Sequence, residues 1–387
     1  MFILWLSEIK WGYLRTRKQQ ILSRFPGGDV IVFVEPVGRN LPNRFTFTHE
    51  PPVHSLTLPH IRAVTNPVVN GLLGKSAVRR TIQAVSGLWL DALLQAVPGR
   101  PDILVTSNVF WSRNIATLKR RWPALPIVYD CNDNPLGFPR TPEYKGAYAL
   151  ETVQQADLIT LPHLACMPVS PEPYLDKIRL LSNGVDTRHF AVPPAEVPLG
   201  SASRPVIMYT GAISEWFDFD LVAQVGRAYG NATVALVGPI ADSVRDQAQA
   251  LLAAPNILHV PPVSYDRLRD YLYAADVCLI PFVANSLTRP VVPNKLFEYA
   301  AAGRTTVISP FNPDLKQLAP KAYVADSRED FMVKLDAALH HPSPPESLRK
   351  WAAGYDWDLI SRDFRAQLAA LVDRSQTAKE HQRATLP

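Results

Sequence analysis

Several features that define other protein classes are scarce or missing in this chain. Its 387 residues include three cysteines, an odd number without the spacing of a metal site. We therefore expect Cys131, Cys166 and Cys278 to be reduced thiols, buried as small apolar side chains. No apolar segment approaches the ~18 residues of a membrane span. The apolar N-terminus MFILWL is short and lacks a preceding basic region, which predicts a buried strand rather than a signal peptide. Together these absences predict a cytoplasmic protein.

The motifs of two further protein classes, nicotinamide-dependent oxidoreductases and nucleic-acid-binding proteins, are also missing. No GxGxxG follows the first predicted strand, which argues against a nicotinamide-dependent oxidoreductase. No zinc-finger, RNP or helix-turn-helix pattern is present, so we expect no nucleic-acid partner. The charge is nevertheless uneven, since residues 1–186 carry 20 Lys and Arg against 14 Asp and Glu, whereas residues 187–387 carry 20 against 21. An anionic membrane surface and an anionic acceptor remain as explanations for the basic first half.

Short apolar strands alternate with helical patterns along the whole chain. This alternation predicts an α/β fold of two doubly wound parallel sheets. The predicted strands are 2–6, 30–35, 102–106, 127–130, 158–161 and 178–182 in the first half, and 206–210, 233–237, 257–260, 277–280 and 305–308 in the second.

Residues 288–308, TRPVVPNKLFEYAAAGRTTVI, form the most informative segment. Asn294 is the predicted N-cap of a helix and Gly303 its C′ residue, ahead of a buried strand. Lys295 lies at the helix N-terminus, where phosphate binds favourably. Glu298 lies in the first turns, where a carboxylate can accept hydrogen bonds from both hydroxyls of a ribose. The segment therefore predicts a nucleotide-diphosphate site.

This segment resembles the donor-site signature of GT-B-type group 1 glycosyltransferases. Three further blocks resemble the same family in the expected order: LSNGVDTRHF (181–190), YTGAISEWFDFDLV (209–222) and YDRLRDYLYAADVCLIPF (265–282). The resemblance implies two Rossmann-like domains facing a cleft, with a C-terminal helix that crosses back to the first domain. We expect an acceptor-binding domain at 1–190, a linker at 191–205, a nucleotide-sugar-binding domain at 206–345, returning helices at 346–374 and a disordered tail at 375–387.

The resemblance also implies which residues bind the donor. Glu298 would bind the ribose and Lys295 the diphosphate, with further donor contacts from Asn294, Gly211, Thr288, Val263 and Tyr265. Two departures from the family pattern stand out. Pro290 replaces the first glutamate of the Glu-x7-Glu pair, and the segment after Gly211 lacks the usual Arg and Lys.

The motif Asp218-Phe219-Asp220 is formally the DxD of a metal site. It lies at a predicted helix start, where N-capping explains it better. We therefore expect no metal and no other cofactor.

Two aspartates in the first half are candidates for the base that deprotonates an acceptor hydroxyl. Asp130 ends a predicted strand and Asp133 follows it, at the edge of the sheet where ligands bind. Asp133 is favoured because it lies further into the loop. The alternative interpretation is a turn, since Asn132, Asn134 and Pro135 are turn formers.

A basic segment after the first strand combines cations with amphipathic aromatic residues. It is predicted to form an acceptor or membrane face made by Lys10, Trp11, Tyr13, Arg15, Arg17 and Lys18. The alternative is an ordinary solvated helix. A membrane face would place the protein on the inner side of the plasma membrane as a peripheral protein.

The predicted function is metal-independent transfer of a sugar from a nucleotide-diphosphate donor, a UDP-sugar by preference. The acceptor is a hydroxyl of a glycan or lipid-linked oligosaccharide, as in polysaccharide biosynthesis. The alternative is a non-catalytic protein of the same fold that binds a nucleotide sugar or glycan. The sequence leaves open the sugar, the linkage, the anomeric outcome and the oligomeric state.

Overall fold

The computed structural model of the chain describes residues 1–12, 15–38, 42–46, 48–50, 52–61, 67–97, 99–138 and 141–384. The chain divides into two compact units. Unit 1 comprises Met1–Ser182 and Ile360–Pro387, and unit 2 comprises Asn183–Leu359.

Unit 1 is built on a sheet that has eight strands over the described residues. The strands follow the order β3-β4-β2-β1-β5-β6-β7-β8, and all neighbours are parallel except β3 and β4. They are β1 (Phe2–Leu6), β2 (Val30–Pro36), β3 (Thr48–Glu50), β4 (Val53–Leu58), β5 (Ile103–Thr106), β6 (Ile127–Asp130), β7 (Leu158–Leu161) and β8 (Ile178–Leu180).

Unit 2 is built on a parallel sheet with six strands over the described residues, in the order β11-β10-β9-β12-β13-β14. This is the doubly wound order, in which the winding direction reverses between β9 and β12. The strands are β9 (Val206–Thr210), β10 (Thr233–Val237), β11 (Ile257–Val260), β12 (Val277–Ile280), β13 (Thr305–Ile308) and β14 (Tyr323–Val324).

Helices connect the strands in both units, and no described helix is long and apolar enough to cross a membrane. The α-helices of unit 1 are α1 (Arg17–Leu22), α2 (Pro67–Gly74), α3 (Ser76–Ala96), α4 (Ser112–Arg121) and α5 (Lys145–Gln155). Those of unit 2 are α6 (Thr187–Ala191), α7 (Phe219–Ala228), α8 (Arg245–Leu252), α9 (Tyr265–Ala274), α10 (Asn294–Ala301), α11 (Leu315–Leu318), α12 (Arg328–His340) and α13 (Pro345–Ala353). The last helix, α14 (Trp357–Ala384), enters unit 1 at Ile360.

The predicted fold class is confirmed, and the reason lies in the strand sequences. Strands β9 and β12, VIMYT and VCLI, are buried at every position because helices cover both faces of the sheet. Every strand predicted from these apolar segments is present. Strands β3, β4 and β14 were not predicted. Of these, β4 (VHSLTL) mixes polar and apolar residues and becomes a strand by pairing with β2.

The unit boundaries differ from the predicted domain limits. Unit 2 begins at Asn183, ahead of the predicted linker, because Asn183 Nδ2 donates to the carbonyl of Val292 at 2.8 Å and Phe190 is fully buried against Tyr265. The helix α14 continues to Ala384, so the segment from Ser375 is helical to that point rather than disordered.

Candidate functional site

Helix α10 begins at the carboxyl edge of the unit 2 sheet and carries the predicted donor residues. Pro293, not Asn294, is the N-cap residue, because the proline holds the extended conformation that precedes the helix (φ −74°, ψ 140°). Asn294 is instead the first helical residue, and its buried Oδ1 has no hydrogen-bond partner among the described residues.

The other end of α10 is confirmed as predicted. Gly303 has φ +73° and donates its amide to Ala300 at 2.9 Å, and Arg304 donates to Tyr299 at 2.8 Å. These two bonds form a Schellman motif, for which glycine is the favoured residue. Because the helix ends at Gly303, β13 follows it directly, and the N-terminus of α10 lies at the carboxyl edge of the sheet.

Lys295 lies against the loop that follows β9. Gly211 in that loop has φ +128°, and a Cβ there would collide with Cε and Nζ of Lys295. The Lys295 ammonium lies 5.5 Å from the ring centre of Tyr209 and 5.7 Å from that of Phe282. Burial lowers the pKa of Lys295, although Glu298 opposes this effect. The Lys295 ammonium is therefore a partly desolvated cation that lies against the backbone of Gly211. Gly211 follows β9, one of the two strands between which the winding direction of the sheet reverses.

A second glycine lies against the backbone of Gly211. Gly238, after β10, has φ +142°, and a Cβ on it would collide with the carbonyl oxygen of Gly211. The Gly211 amide donates to Val237 at 2.8 Å, and the Gly238 amide donates to Val260 at 3.0 Å. The loops after β9 and β10 therefore touch through their backbones, which only glycine allows. Sequence reasoning missed Gly238, although both glycines directly follow a buried strand.

Glu298 lies one turn along α10 from Lys295. Its side chain is half-buried, and burial raises its pKa to about 7, with Lys295 opposing the rise. Near neutral pH the carboxyl group is therefore divided between its two protonation states. A group that hydrogen-bonds to the ionised form, such as a pair of hydroxyls, would favour the carboxylate.

Thr288, a predicted donor contact, forms hydrogen bonds within the loop that follows β12. Thr288 is buried, and its hydroxyl donates to the carbonyl of Val283 at 2.5 Å and accepts from the amide of Asn285 at 3.0 Å. Asn285 Oδ1 in turn accepts from the amides of Leu287 and Thr288, both at 2.9 Å. The Thr288 side chain thus holds the loop together, and its contact with a donor stays a prediction.

The region before α9 gives Tyr265 a packing role. Its ring stacks on His189 at 5.6 Å and meets Phe190 edge-on at 5.4 Å. Val263 is half-buried in the loop ahead of it. Contact of either residue with a nucleobase stays a prediction.

The formal DxD has partners that explain it without a metal. Asp218 caps α7 by accepting from the amide of Leu221 at 3.0 Å, and it pairs with Arg328 through two bonds of 2.8 and 2.9 Å. Over the described part of the chain, no three His, Cys, Asp or Glu side chains form a cluster that could hold a metal ion.

The two candidate bases of unit 1 have different surroundings. Asp130 is buried, lies 3.3 Å from Arg17 and accepts from the hydroxyl of Thr160 at 2.8 Å. Asp133 is half-buried and accepts from Asn132 at 2.8 Å. Burial raises the pKa of Asp133, although the charge of Lys18 opposes the rise. Asp130 is therefore committed to an internal ion pair, whereas Asp133 is a carboxyl group whose pKa is moved towards neutrality.

The prediction of an exposed basic face is wrong for three of its cations, which are buried. Lys10 donates to the carbonyl of Pro42 at 2.6 Å and to Asn43 at 2.7 Å. Arg17 donates to the carbonyls of Leu181 and Ser182, and Lys18 pairs with Glu8. Lys10 also pairs with Glu35 at 3.8 Å and Arg17 with Asp130 at 3.3 Å. All three buried cations therefore have carboxylate partners inside unit 1 and are not available to an anionic surface.

The other residues of that segment differ in their exposure to solvent. Trp11 is half-buried and its ring lies 5.2 Å from that of Phe33, while Arg15 is exposed. Tyr13 lies outside the described residues.

The chain is similar to known proteins in sequence and in structure. No protein-family model matches the chain. A putative teichuronic acid biosynthesis glycosyltransferase, TuaH, of Bacillus subtilis (strain 168) is 25% identical over 265 residues, which is 62% of this chain. The chain covers 65% of the length of that relative.

Among solved structures, a sucrose-phosphate synthase from Thermosynechococcus elongatus has a TM-score of 0.73 at 13% identity and covers 96% of this chain and 100% of its own. Anabaena Alr3699/HepE in complex with UDP and glucose has a TM-score of 0.68 at 13% identity, with the same coverage. The chain has the GT-B fold. The fold implied by the sequence motifs is thereby confirmed. Gly211, Gly238 and the start of α10 lie at one edge of the unit 2 sheet of this GT-B chain.

Proposed function

We propose that this protein is a glycosyltransferase that uses a nucleotide-diphosphate sugar as its donor. One observation carries the proposal: Lys295 lies against Gly211 at the winding reversal of the unit 2 sheet, with the N-terminus of α10 beside it. The ammonium and the amides of the first helical turn together suit a diphosphate, and Gly211 leaves the space that the Lys295 side chain occupies. Glu298, one turn further on, suits the two hydroxyls of a ribose.

Different residues act on the leaving group and on the acceptor in the proposed reaction. An acceptor hydroxyl attacks the anomeric carbon, the bond from that carbon to the diphosphate oxygen breaks, and the nucleoside diphosphate leaves. Lys295 and the helix amides stabilise the negative charge that develops on the leaving diphosphate. In an inverting reaction Asp133 takes the proton of the acceptor hydroxyl, and its raised pKa suits a general base.

The proposed donor and acceptor are inferred from proteins that are similar in fold or in sequence. Two solved structures of the same fold are complexes with UDP or a UDP-sugar: HepE with UDP and glucose, and the trehalose-6-phosphate protein from E. coli with UDP-2-fluoro glucose. We therefore propose a UDP-sugar as donor. Similarity to TuaH, a putative glycosyltransferase of teichuronic acid biosynthesis, supports an acceptor hydroxyl on a glycan or lipid-linked oligosaccharide of polysaccharide biosynthesis. Because Lys295 supplies the cationic charge, the proposed reaction is metal-independent.

Thermal denaturation with nucleotides tests the donor site. UDP, GDP, ADP and dTDP are compared with and without EDTA, because a ligand that binds only the folded state raises the melting temperature. We expect UDP to raise it most, EDTA to leave the shift unchanged, and Lys295→Met to abolish it. Lys350→Met, at an exposed position of α13, is the matched control. Absence of any shift for the wild-type protein would contradict the proposal.

The replacement of the usual acidic residue by Pro290 favours a second candidate, a protein that binds the nucleotide sugar without transferring it. Release of UDP from a UDP-sugar, measured with and without glycan acceptors, separates the two. Binding of UDP-sugars without turnover under any acceptor would support the binding protein.

A further inference from the structure

Helices α2 and α3 of unit 1 leave large apolar side chains in solvent. Val68, Leu88 and Trp89 are the most exposed, at 71%, 71% and 51%. We call the set the α2–α3 face, and its members are Val68, Val69, Leu72, Val85, Leu88 and Trp89. An exposed cluster of this kind marks a surface that contacts a partner or a membrane.

The spacing shows that the exposure is systematic. Val85, Leu88 and Trp89 follow one another at i, i+3 and i+4, so they lie on one side of α3. The neighbouring side of α3 supplies Leu90 and Leu93 to the core of unit 1. Helix α3 is therefore apolar on two sides, one of which the unit covers and one of which it leaves open.

The charged side chains of α2 and of α3 as far as Leu90 are all cationic. Residues 67–90 contain Lys75, Arg79 and Arg80 and no Asp or Glu, and Asp91, which follows, pairs with Arg121 at 3.2 Å. Arg79 donates to the carbonyls of Leu73 and Gly74 at 2.5 and 2.8 Å, which ties the start of α3 to the end of α2. Lys75 and Arg80 are exposed at this corner. The corner is thus rigid, apolar and positive.

A groove between α3 and α4 adjoins the same face. Its volume is about 420 Å³, and its lining includes Arg80, Leu88, Arg113 and Asp91. Because Asp91 pairs with Arg121, cationic and apolar groups share one concave surface, an arrangement that suits a headgroup phosphate above an acyl chain.

We propose that the α2–α3 face docks onto an anionic lipid bilayer. Apolar side chains enter the interface, the tryptophan lies at headgroup level, and the cations contact anionic headgroups. Self-association through this face would place two positive surfaces against each other, so charge complementarity favours the bilayer. The proposal does not depend on the proposed function, and it places membrane contact on residues other than the buried Lys10, Arg17 and Lys18.

Flotation of the full chain with lipid vesicles tests the proposal. Vesicles of phosphatidylcholine alone are compared with vesicles of phosphatidylcholine and phosphatidylglycerol, at low and high salt. We expect binding to the anionic vesicles and its weakening by salt. The double variant Leu88→Ser, Trp89→Ser should bind about tenfold less because it loses apolar area. Lys75→Glu with Arg80→Glu should bind about tenfold less because each cation contributes to the attraction.

Matched controls keep the result specific to this face. Leu180→Ser with Val333→Ser removes equally exposed apolar residues elsewhere, and Arg227→Glu with Lys350→Glu reverses two exposed charges in unit 2. Both controls should bind like the wild type, and melting temperatures confirm that every variant is folded. Three outcomes would overturn the proposal: no binding to anionic vesicles, equal binding by all variants, or a concentration-dependent dimer that the Leu88→Ser, Trp89→Ser variant abolishes.

Discussion

At the scale of single residues, Gly211 is required for two separate reasons. Its φ of +128° is a conformation that residues with a Cβ rarely adopt, and the space for a Cβ is occupied by Lys295. We expect Gly211→Ala to destabilise the fold by about 1–3 kcal/mol and to displace the ammonium. The affinity for UDP should then fall at least tenfold, as measured by calorimetric titration.

The control for this substitution is Gly230→Ala, because Gly230 has open space around its Cβ position and no positive φ. It should change neither stability by more than about 1 kcal/mol nor the affinity for UDP. Unchanged UDP affinity in Gly211→Ala would mean that Lys295 does not hold the phosphates.

Glu298 predicts a dependence of stability on pH. Its pKa is 4.5 in the unfolded chain and about 7 in the folded one. As the pH rises through this window, the unfolded chain loses its proton first, so the folded state loses stability. Glu298→Gln removes the ionisation, and its stability relative to the wild type should rise between pH 4.5 and pH 7, by about 1.4 kcal/mol for each unit of pKa difference.

Urea unfolding at several pH values measures this effect, with the exposed Glu346→Gln on α13 as control. The control should follow the wild type at every pH. A constant difference between Glu298→Gln and the wild type would show that the carboxyl group ionises normally in the folded state.

At the scale of elements, one buried carboxylate contributes to the attachment of α14 to unit 1. Asp29 accepts two bonds from Arg365, at 2.6 and 3.0 Å, and one from the N-terminal amine at 3.1 Å. Burial raises the pKa of Asp29, but these partners outweigh it and lower the pKa below 3.8. Arg365→Ala leaves the carboxylate short of partners and should cost about 1–3 kcal/mol of unfolding free energy.

The sign of the pH dependence follows from the lowered pKa. The stability from this pair is fully present above pH 3.8 and is lost as the pH falls through the folded pKa of Asp29. Denaturant titrations should therefore show a large deficit for Arg365→Ala at pH 7 that shrinks in acid. Arg374→Ala, an exposed position on the same helix, should show no deficit. An equal loss in both variants would mean that helix propensity, not the ion pair, holds α14.

At the scale of the whole molecule, the proposed function assigns donor binding to unit 2 and the base to unit 1. Asp133→Asn should therefore leave the thermal shift by UDP unchanged while it reduces sugar transfer by about 100-fold or more. Lys295→Met should lose both. Asp130→Asn serves as a contrast because it leaves Arg17 buried without its ion-pair partner, and its main effect should be lower stability. Full transfer by Asp133→Asn would exclude this residue as the base.

The sequence by itself determined the features that depend on local patterns. Apolar runs predicted the parallel strands, and the α10 segment predicted a helix that ends at Gly303, because strand period and helix stop signals are set by neighbouring residues. The cap was misplaced by one residue, since Pro293 competes with Asn294 for the same position. The sequence also singled out Lys295 and Gly211, which the structure brings into contact, because recognisable motifs contain them.

Only the tertiary structure decided which charged and apolar residues face solvent. Lys10, Arg17 and Lys18 look like a basic surface in sequence, yet they pair with the carboxylates of Glu35, Asp130 and Glu8 inside unit 1. In the same way, helical periodicity did not show that α3 is apolar on both sides and covered on one. Burial depends on segments that approach from far along the chain, and composition and spacing within one segment do not contain that information.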